Sequence, residues 1–312
     1  MGASSRRSRM RYGMNPHQAA SMTVVGSAAP FTVVAGNPSY INVLDALTGW
    51  QLVREAALVF GVPAAASYKH VSPAGAALGT SVADAYRRAR DADPKSSYGD
   101  FVAVSQVVDA ELADVLRRVV SDGIIAPGYA PGVVEVLAAK KRGTYLVLEA
   151  DPSFEPPREE VRELYGLRLS QERDDVPITR DLLSAEVGDA AARDLMLGLI
   201  VVRYTQSNTV ALLKDGMAIG IGAGQQSRVD CTRLAGAKAA EWWSRHSLEP
   251  LTGVSMVSDG ALPFPDNVEE AARFGVTHIA EPAGSIRSDQ IAAACARFGI
   301  TWSPTNLRLF RH

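Results

Sequence analysis

Residues 64–79 read A-A-A-S-Y-K-H-V-S-P-A-G-A-A-L-G, a run of small residues interrupted by the pair Lys69 and His70. Neighbouring side chains point to opposite faces of a strand, so a continuing strand could not direct both groups into one site. Pro73 and Gly75 follow closely and are strong turn formers. We therefore predict that a strand ends near Lys69 and turns into a helix, with both side chains in one cleft.

The Lys69 and His70 pair has a catalytic interpretation and a simpler one. Beside an ammonium group, an imidazole favours its neutral form and is able to act as a base near neutral pH. Lys69 is able to donate to an oxyanion. Taken alone, the dipeptide is better explained as a surface lysine beside a hydrogen-bonded histidine, and its surroundings favour catalysis.

Composition limits the class of protein. The chain has 312 residues, 47% hydrophobic and 21% charged, which predicts a folded protein of one large or two ordinary domains. A net charge of −2 argues against general binding of nucleic acid or an anionic membrane. Cys231 and Cys295 are the only cysteines, which predicts a cytoplasmic protein without disulfides. The basic start, residues 1–10, is interpreted as a flexible leader.

Apolar periodicity predicts alternating helices and strands, which is typical of a layered α/β protein. The predicted helices cover 42–60, 82–92, 110–121, 131–141, 195–204, 229–245, 268–274 and 289–298, and the predicted strands cover 32–35, 101–105, 123–126, 144–148, 209–213, 217–221 and 277–280.

Proline and mixed charge divide the chain. We expect a first lobe over residues 1–150, a connection over 151–194 and a second lobe over 195–312. The triplet S-D-G occurs at 121–123 and again at 258–260, and each is followed by a similar order of elements. This weak repeat predicts two similar lobes that arose by duplication.

The segment 220–228, G-I-G-A-G-Q-Q-S-R, has the spacing of neither a dinucleotide-binding fingerprint nor a P-loop. Such a turn before a helix is able to bind an anion together with Arg228, and close packing explains the glycines equally well. The five histidines show no paired metal-ligand spacing, and we predict no metal site. The signatures of zinc deaminases and α/β-hydrolases are also missing.

Several segments taken together resemble one family, in order over nearly the whole chain: 11–18, 67–77, 96–102, 121–129, 204–210, 220–235, 266–268 and 305–312. They are similar to the formyltransferase domain of the AICAR transformylase/IMP cyclohydrolase family. The resemblance implies two tandem cytidine-deaminase-like three-layer α/β/α lobes. It also implies formyl transfer from 10-formyltetrahydrofolate to the 5-amino group of AICAR in purine biosynthesis, with shared active sites in a homodimer.

The same resemblance implies roles for individual residues. Lys69 and His70 match the catalytic pair, and Asn208 is a further candidate donor to the oxyanion. The positions that match substrate-binding residues are Arg11, Tyr12, Gly99, Asp122, Arg228, Arg308 and Phe310. Those expected on the folate side are Pro263, Phe264, Asp266 and His312.

The chain also departs from the family pattern. We expect no cyclohydrolase domain, and the stretch between His246 and Ser255 lacks a segment that the family carries near its folate site. Ala261 and Leu262 replace two phenylalanines, and Pro265 replaces an arginine. Two alternatives therefore stay open: a formyltransferase for an AICAR-like aminocarboxamide ribonucleotide in a specialised nucleoside pathway, and a non-catalytic nucleotide-binding paralogue.

Overall fold

The computed structural model describes residues 7–26 and 28–312, so residues 1–6 of the expected leader lie outside the described part. Within those ranges no helix is long and apolar enough to cross a membrane. The described strands are β1 (Arg7–Arg9), β2 (Ser21–Thr23), β3 (Phe31–Ala35), β4 (Ala64–Lys69), β5 (Ser72–Leu78), β6 (Asp100–Val104), β7 (Ser121–Ala126), β8 (Leu146–Ala150), β9 (Glu159–Leu164), β10 (Leu167–Glu172), β11 (Thr209–Lys214), β12 (Met217–Ala223), β13 (Val254–Ser258), β14 (Val276–Glu281) and β15 (Thr301–Pro304). The described helices are α1 (Tyr40–Phe60), α2 (Val82–Ala92), α3 (Ala110–Arg118), α4 (Val133–Ala138), α5 (Asp189–Arg203), α6 (Arg228–Ser244), α7 (Asp266–Ala272) and α8 (Ser288–Phe298).

Eleven of the described strands form one mixed sheet, in the order β15-β14-β13-β11-β12-β5-β4-β6-β7-β8-β3. From β5 outward, β4 is antiparallel to β5 and β6, and β6, β7 and β8 run parallel. From β12 outward, β11 is antiparallel to β12 and β13, and β13, β14 and β15 run parallel. The strand order is therefore repeated, and the two repeats meet where β12 pairs with β5 in antiparallel direction.

Helices cover both faces of this sheet. Residues of α1 and α5, such as Trp50 and Leu195, share one core with Ala103 of β6. The neighbouring Val102 and Val104 face the other side, in a core with α2, α3 and α4. The helices α6, α7 and α8 complete that second layer around β11 and β12. This arrangement confirms the expected α/β fold of layered helices and sheet.

The expected helix after Lys69 is wrong. Instead, β4 and β5 form a hairpin in which Lys69 pairs with Ser72 across a two-residue turn. Pro73 is tolerated because it pairs beside an irregularity of the β4–β5 ladder, and β5 meets β12 only at its other end. The helix α2 begins only at Val82, after β5 has ended at Leu78.

The repeated S-D-G triplets do not occupy matching places. Ser121 opens β7, whereas Ser258 closes β13. The hairpins β4–β5 and β11–β12, each followed by a helix on the same face, are the elements that correspond. Aligning the two S-D-G triplets therefore gives the wrong register for the repeat.

Two of the glycines of segment 220–228, Gly220 and Gly222, allow close packing between strand and helix. A Cβ on Gly220 would lie 2.1 Å from the Ala235 carbonyl oxygen of α6, and one on Gly222 would lie 2.1 Å from the Cys231 carbonyl oxygen. Gly75 of β5 meets α2 in the same way, with a Cβ 2.0 Å from the Ala89 carbonyl oxygen. Real Cβ atoms do not approach that closely, so these helices require glycine beneath them.

Candidate active site

The Lys69 and His70 turn lies at the sheet edge where the two repeats meet. Because β5 and β12 are antiparallel, the start of β5 lies beside the end of β12. β11 begins at that edge, since Thr209 pairs with Ala223, and β13 ends there, since Val210 pairs with Ser258. Side chains from both repeats therefore surround one sheet edge.

The turn itself has an uncommon backbone. His70 has φ 54° and Val71 has φ 61°, the left-handed pair of a type I′ hairpin turn. A β-branched residue is rarely found at positive φ, and such residues cost on the order of 1–3 kcal/mol each. Strain of this kind persists where the surrounding structure enforces it, and it is found mostly at functional sites.

Lys69 and His70 line one cavity of about 340 Å³. Its other walls include Ser72, Ser96 and Lys238, the last from α6 of the second repeat. His70 is exposed, whereas Lys69 is half-buried and its Nζ donates to the Tyr98 carbonyl oxygen at 2.5 Å. The cavity thus receives a base and two ammonium groups, of which that of Lys238 is paired with Asp93 at 3.1 Å. The arrangement suits an anionic or carbonyl-bearing ligand.

A buried polar network fixes the loop below Lys69. Asp100 accepts hydrogen bonds from Ser67 at 2.7 Å and Tyr86 at 3.1 Å, and it pairs with Arg90 at 3.0 Å. Burial raises the pKa of the Asp100 carboxyl, while these donors favour its ionised form. Arg90 also donates to the Ser97 carbonyl oxygen at 2.7 Å, which holds the loop that carries Tyr98.

Asn208 and Arg228 lie together on the second-repeat side of the edge. Asn208 Nδ2 donates to the carbonyl oxygens of Gln225 at 2.9 Å and Gln226 at 3.1 Å, and its Oδ1 accepts from Arg228 at 2.7 Å. Arg228 is buried and forms an ion pair with Asp259, which also accepts from Ser207 at 2.5 Å. Both predicted residues are thus held by internal contacts here.

The C-terminal tail packs onto the same edge. Phe310 lies against Gly260, where a Cβ would be 2.5 Å from the ring, and the Arg228 guanidinium lies 5.8 Å from the ring centroid. The exposed Arg308 stacks 4.9 Å from that centroid, and the His312 ring lies 6.1 Å from it. The structure therefore groups three predicted tail residues with Arg228.

Arg11 and Tyr12 lie at the start of α1. The Arg11 backbone N–H donates to the Pro38 carbonyl oxygen at 2.9 Å, and Tyr40 N–H donates to the Tyr12 carbonyl oxygen at 3.0 Å. The exposed Arg11 side chain donates to the Tyr12 hydroxyl at 2.9 Å. The Tyr40 N–H at the start of α1 is therefore occupied, and the exposed Arg11 guanidinium is the group here that is able to bind an anion.

Gly99 and Asp122 lie at the edge beside the turn. Gly99 has φ 77° and directly precedes Asp100, which pairs with Ser121 across β6 and β7. Asp122 accepts from Lys141 Nζ at 2.6 Å. Asp45 of α1 lies beneath the His70 turn, where its carboxylate accepts the Val71 N–H. The charge of Asp122 contributes to raising the pKa of Asp45, so the two carboxylates are within electrostatic reach of each other.

Of the residues expected on the folate side, Pro263 and Phe264 lie in the loop after β13, Asp266 begins α7, and His312 lies in the tail. Pro263, Phe264 and Asp266 are exposed, and the Arg287 guanidinium lies 4.2 Å from the Phe264 ring centroid. Buried Glu281 holds the same loop by accepting from Leu262 N–H at 3.1 Å. None of these residues is among those that line the cavity of Lys69 and His70.

Sequence reasoning missed three groups at this edge: Asp45 beneath the turn, Lys238 in the cavity wall and Asp259 beside Arg228. Asp45 had one usable signal, because it lies in the apolar helical run 42–60. Lys238 and Asp259 carry no such signal, because only the fold brings α6 and the end of β13 beside the first repeat. Across residues 7–26 and 28–312, no three His, Cys, Asp or Glu side chains gather so that they could hold a metal ion.

Comparison with known proteins identifies the family of this chain. The sequence model described as "AICARFT/IMPCHase bienzyme" matches residues 2–238. The "Bifunctional purine biosynthesis protein PurH" of Cereibacter sphaeroides is 37% identical over 316 aligned residues, and that of Roseobacter denitrificans is 36% identical over 316. Each alignment covers 97% of this chain and 59% of the relative, so the chain spans little more than half the length of these relatives. The chain belongs to the AICARFT/IMPCHase bienzyme family.

Proposed function

We propose that this protein transfers a formyl group from 10-formyltetrahydrofolate to the 5-amino group of AICAR, giving FAICAR and tetrahydrofolate. One observation carries the proposal: a strained two-residue turn directs Lys69 and His70 into one cavity where the two repeats meet. Membership of the family supports the same activity. The cavity volume of about 340 Å³ is within the range of small-molecule sites.

In the proposed reaction the amine is a weak nucleophile, because its lone pair is conjugated with the imidazole carboxamide. His70 accepts a proton from the amine as its nitrogen bonds to the formyl carbon. The same imidazole then gives that proton to N10 of the folate as the C–N10 bond breaks. One proton and one formyl group thus exchange places between the two nitrogens, and no other reactant is needed.

We assign Lys69 to the oxyanion of the tetrahedral intermediate. Its ammonium has three donors, and within the described residues it makes one hydrogen bond, to Tyr98. Both amide hydrogens of Asn208 already bond to backbone carbonyls, so Asn208 fits better as the residue that orients Arg228. Loss of one such oxyanion donor lowers kcat by about 10²–10³ in a well-studied enzyme.

We propose that the nucleotide phosphate binds at the start of α1. Arg11 is exposed there, and its guanidinium is able to form paired hydrogen bonds with a phosphate. The tail arginine Arg308 and the ring of Phe310, with Arg228 beneath them, are proposed to hold the rest of the nucleotide.

We also propose a homodimer with shared active sites, supported by the hairpin β9–β10. Leu164, Leu167 and Leu169 lie on one face of this hairpin and are 56%, 67% and 52% exposed. An isolated two-stranded hairpin is at best marginally stable in water, so a partner surface is expected to cover its apolar face.

A direct assay tests the activity. Purified protein is mixed with 10-formyltetrahydrofolate and AICAR, and tetrahydrofolate release is followed by absorbance while the formylated product is identified by mass spectrometry. We expect release that depends on both substrates. Turnover only with other aminocarboxamide ribonucleotides would favour a specialised pathway, and AICAR binding in calorimetry without any turnover would favour a non-catalytic paralogue.

A further inference from the structure

Asp45 connects α1 to the turn that carries His70. This carboxylate is 7% exposed, and its Oδ1 accepts the Val71 backbone N–H at 2.6 Å. Val71 is the residue whose positive φ is least favourable for its side chain. A short charge-assisted hydrogen bond therefore stabilises Val71, the hairpin residue with the least favourable backbone conformation.

The second repeat contains the same arrangement at the corresponding turn. Asp194 of α5 accepts the backbone N–H groups of Asp215 at 2.9 Å and Gly216 at 2.6 Å. Those two residues also have positive φ, 53° and 74°. The fold thus places a helix carboxylate beneath both hairpin turns.

The two turns differ in what their own sequences favour. Asp-Gly is one of the pairs that favour a type I′ turn by themselves. His70-Val71 is not such a pair, because valine at positive φ is sterically unfavourable. In the first repeat the carboxylate therefore maintains a conformation that the local sequence opposes, and that conformation directs His70 to the cavity.

Asp45 maintains this contact against an electrostatic cost. Burial raises its pKa to about 6, the nearby charge of Asp122 on β7 adds to that effect, and the Val71 N–H opposes it. Tyr68 of β4 is a further titratable neighbour. Asp194 is likewise buried beside an acid, Asp215, and its pKa is also raised by burial, so the electrostatic cost is common to both turns and the difference between them lies in the turn sequences.

We propose that Asp45 is a positioning residue, which holds the His70-Val71 turn in its left-handed form and so places His70 for proton transfer. The inference rests on the proposed formyl transfer. It concerns a residue that touches neither substrate in that proposal, and it acts on the reaction only through the turn.

Kinetics of paired variants test the proposal. Asp45→Ala is expected to lower kcat at least about tenfold while KM for AICAR and for the folate changes less than about threefold, because the phosphate-binding groups are elsewhere. Asp45→Asn keeps an acceptor oxygen for Val71 and is expected to recover kcat to within about threefold of wild type.

Asp194→Ala is the matched control, because it removes the equivalent contacts at the turn of the second repeat. It is expected to lower the melting temperature by an amount similar to Asp45→Ala while leaving kcat within about twofold. An unchanged kcat in Asp45→Ala, or equal kcat losses in both variants, would overturn the proposal.

A spectroscopic measurement separates this inference from the proposed activity. With selective ¹⁵N-valine labelling, the Val71 amide signal of wild type and of Asp45→Asn is expected at low field and protected from hydrogen exchange. In Asp45→Ala the same signal is expected to lose both the low-field shift and the protection. If wild type lacks formyl transfer, this experiment still decides whether Asp45 holds the turn. If Asp45→Ala does not fold, Asp45→Ser takes its place, because the serine hydroxyl is one bond too short to reach the Val71 N–H. An unchanged Val71 amide signal in either variant would contradict the inference.

Discussion

At the scale of single residues, the ionisation of Asp45 couples the candidate site to the stability of the fold. Its pKa rises from an ordinary 3.8 to about 6, chiefly because of burial. Between those pH values the native state keeps a proton that the unfolded state has released. Stability therefore falls as the pH rises through that window, and the full cost is present above about pH 6.

Asp45→Asn is expected to remove this pH dependence. Two pKa units correspond to about 3 kcal/mol, so the variant should gain up to that amount relative to wild type between about pH 4 and pH 7. Urea unfolding of both proteins across this range measures the difference. A difference in unfolding free energy that stays constant with pH would show that Asp45 is ionised at no cost.

Whether the sequence reveals a functional residue depends on where the partners of that residue lie. Lys69 and His70 were identifiable because they interrupt an apolar run and precede a turn signal. The role of Asp45 was not, because its partner is a backbone amide 26 residues away, presented by a turn that only the hairpin creates. The buried pairing of Arg228 with Asp259 was hidden for the same reason, since it joins α6 to the end of β13.

At the scale of elements, glycines in β5 and β12 set how closely α2 and α6 pack on the sheet. The cavity wall includes Leu234 and Lys238 of α6, so this packing distance also determines the width of the cavity. Any side chain at Gly75 or Gly220 would push its helix away from the strand, because the opposing atom is a backbone carbonyl oxygen.

Gly75→Ala and Gly220→Ala are each expected to lower the free energy of unfolding by about 1–3 kcal/mol, the usual cost of overpacking. Gly128→Ala is the control, because its Cβ would meet only Val107 Cγ2 at 3.5 Å. We expect that control to stay within about 0.5 kcal/mol of wild type. Chemical denaturation of the three variants checks this, and equal effects at all three positions would rule out the packing argument.

Element types were predicted better than connections. The helix over 82–92 has the bounds Val82–Ala92, and the hairpin around Asp215 and Gly216 lies where expected. The β4–β5 hairpin was missed because proline and glycine suggested that the strand ends, whereas Pro73 sits beside a ladder irregularity and Gly75 lies beneath α2. Long-range packing determined both positions, and local propensity could not show it.

At the scale of the whole molecule, the repeated strand order explains why the candidate site contains groups from both halves of the chain. Two repeats that meet through antiparallel β5 and β12 place the first hairpin turn beside the start of β11 and the end of β13. The sequence predicted a repeat, but matching S-D-G triplets could not give its register. The lobe boundaries at 150 and 194 remain predictions.

The proposed dimer is testable through the hairpin β9–β10. Wild type is expected to sediment as a dimer, and Leu167→Asp with Leu169→Asp should weaken it at least about tenfold, because both side chains lie on the exposed apolar face. Leu248→Asp is the control, since Leu248 is 102% exposed elsewhere on the surface. A monomeric wild type, or equal weakening by the control, would contradict this interface.

The central claim is that His70 carries the proton during formyl transfer. Single-turnover formyl transfer from 10-formyltetrahydrofolate to AICAR, measured for wild type and His70→Ala, tests it most directly. General acid–base catalysis typically contributes about 10²–10⁴-fold, so the variant should be slower by at least about 100-fold with its affinity for AICAR unchanged. A His70→Ala rate near that of wild type would contradict the account.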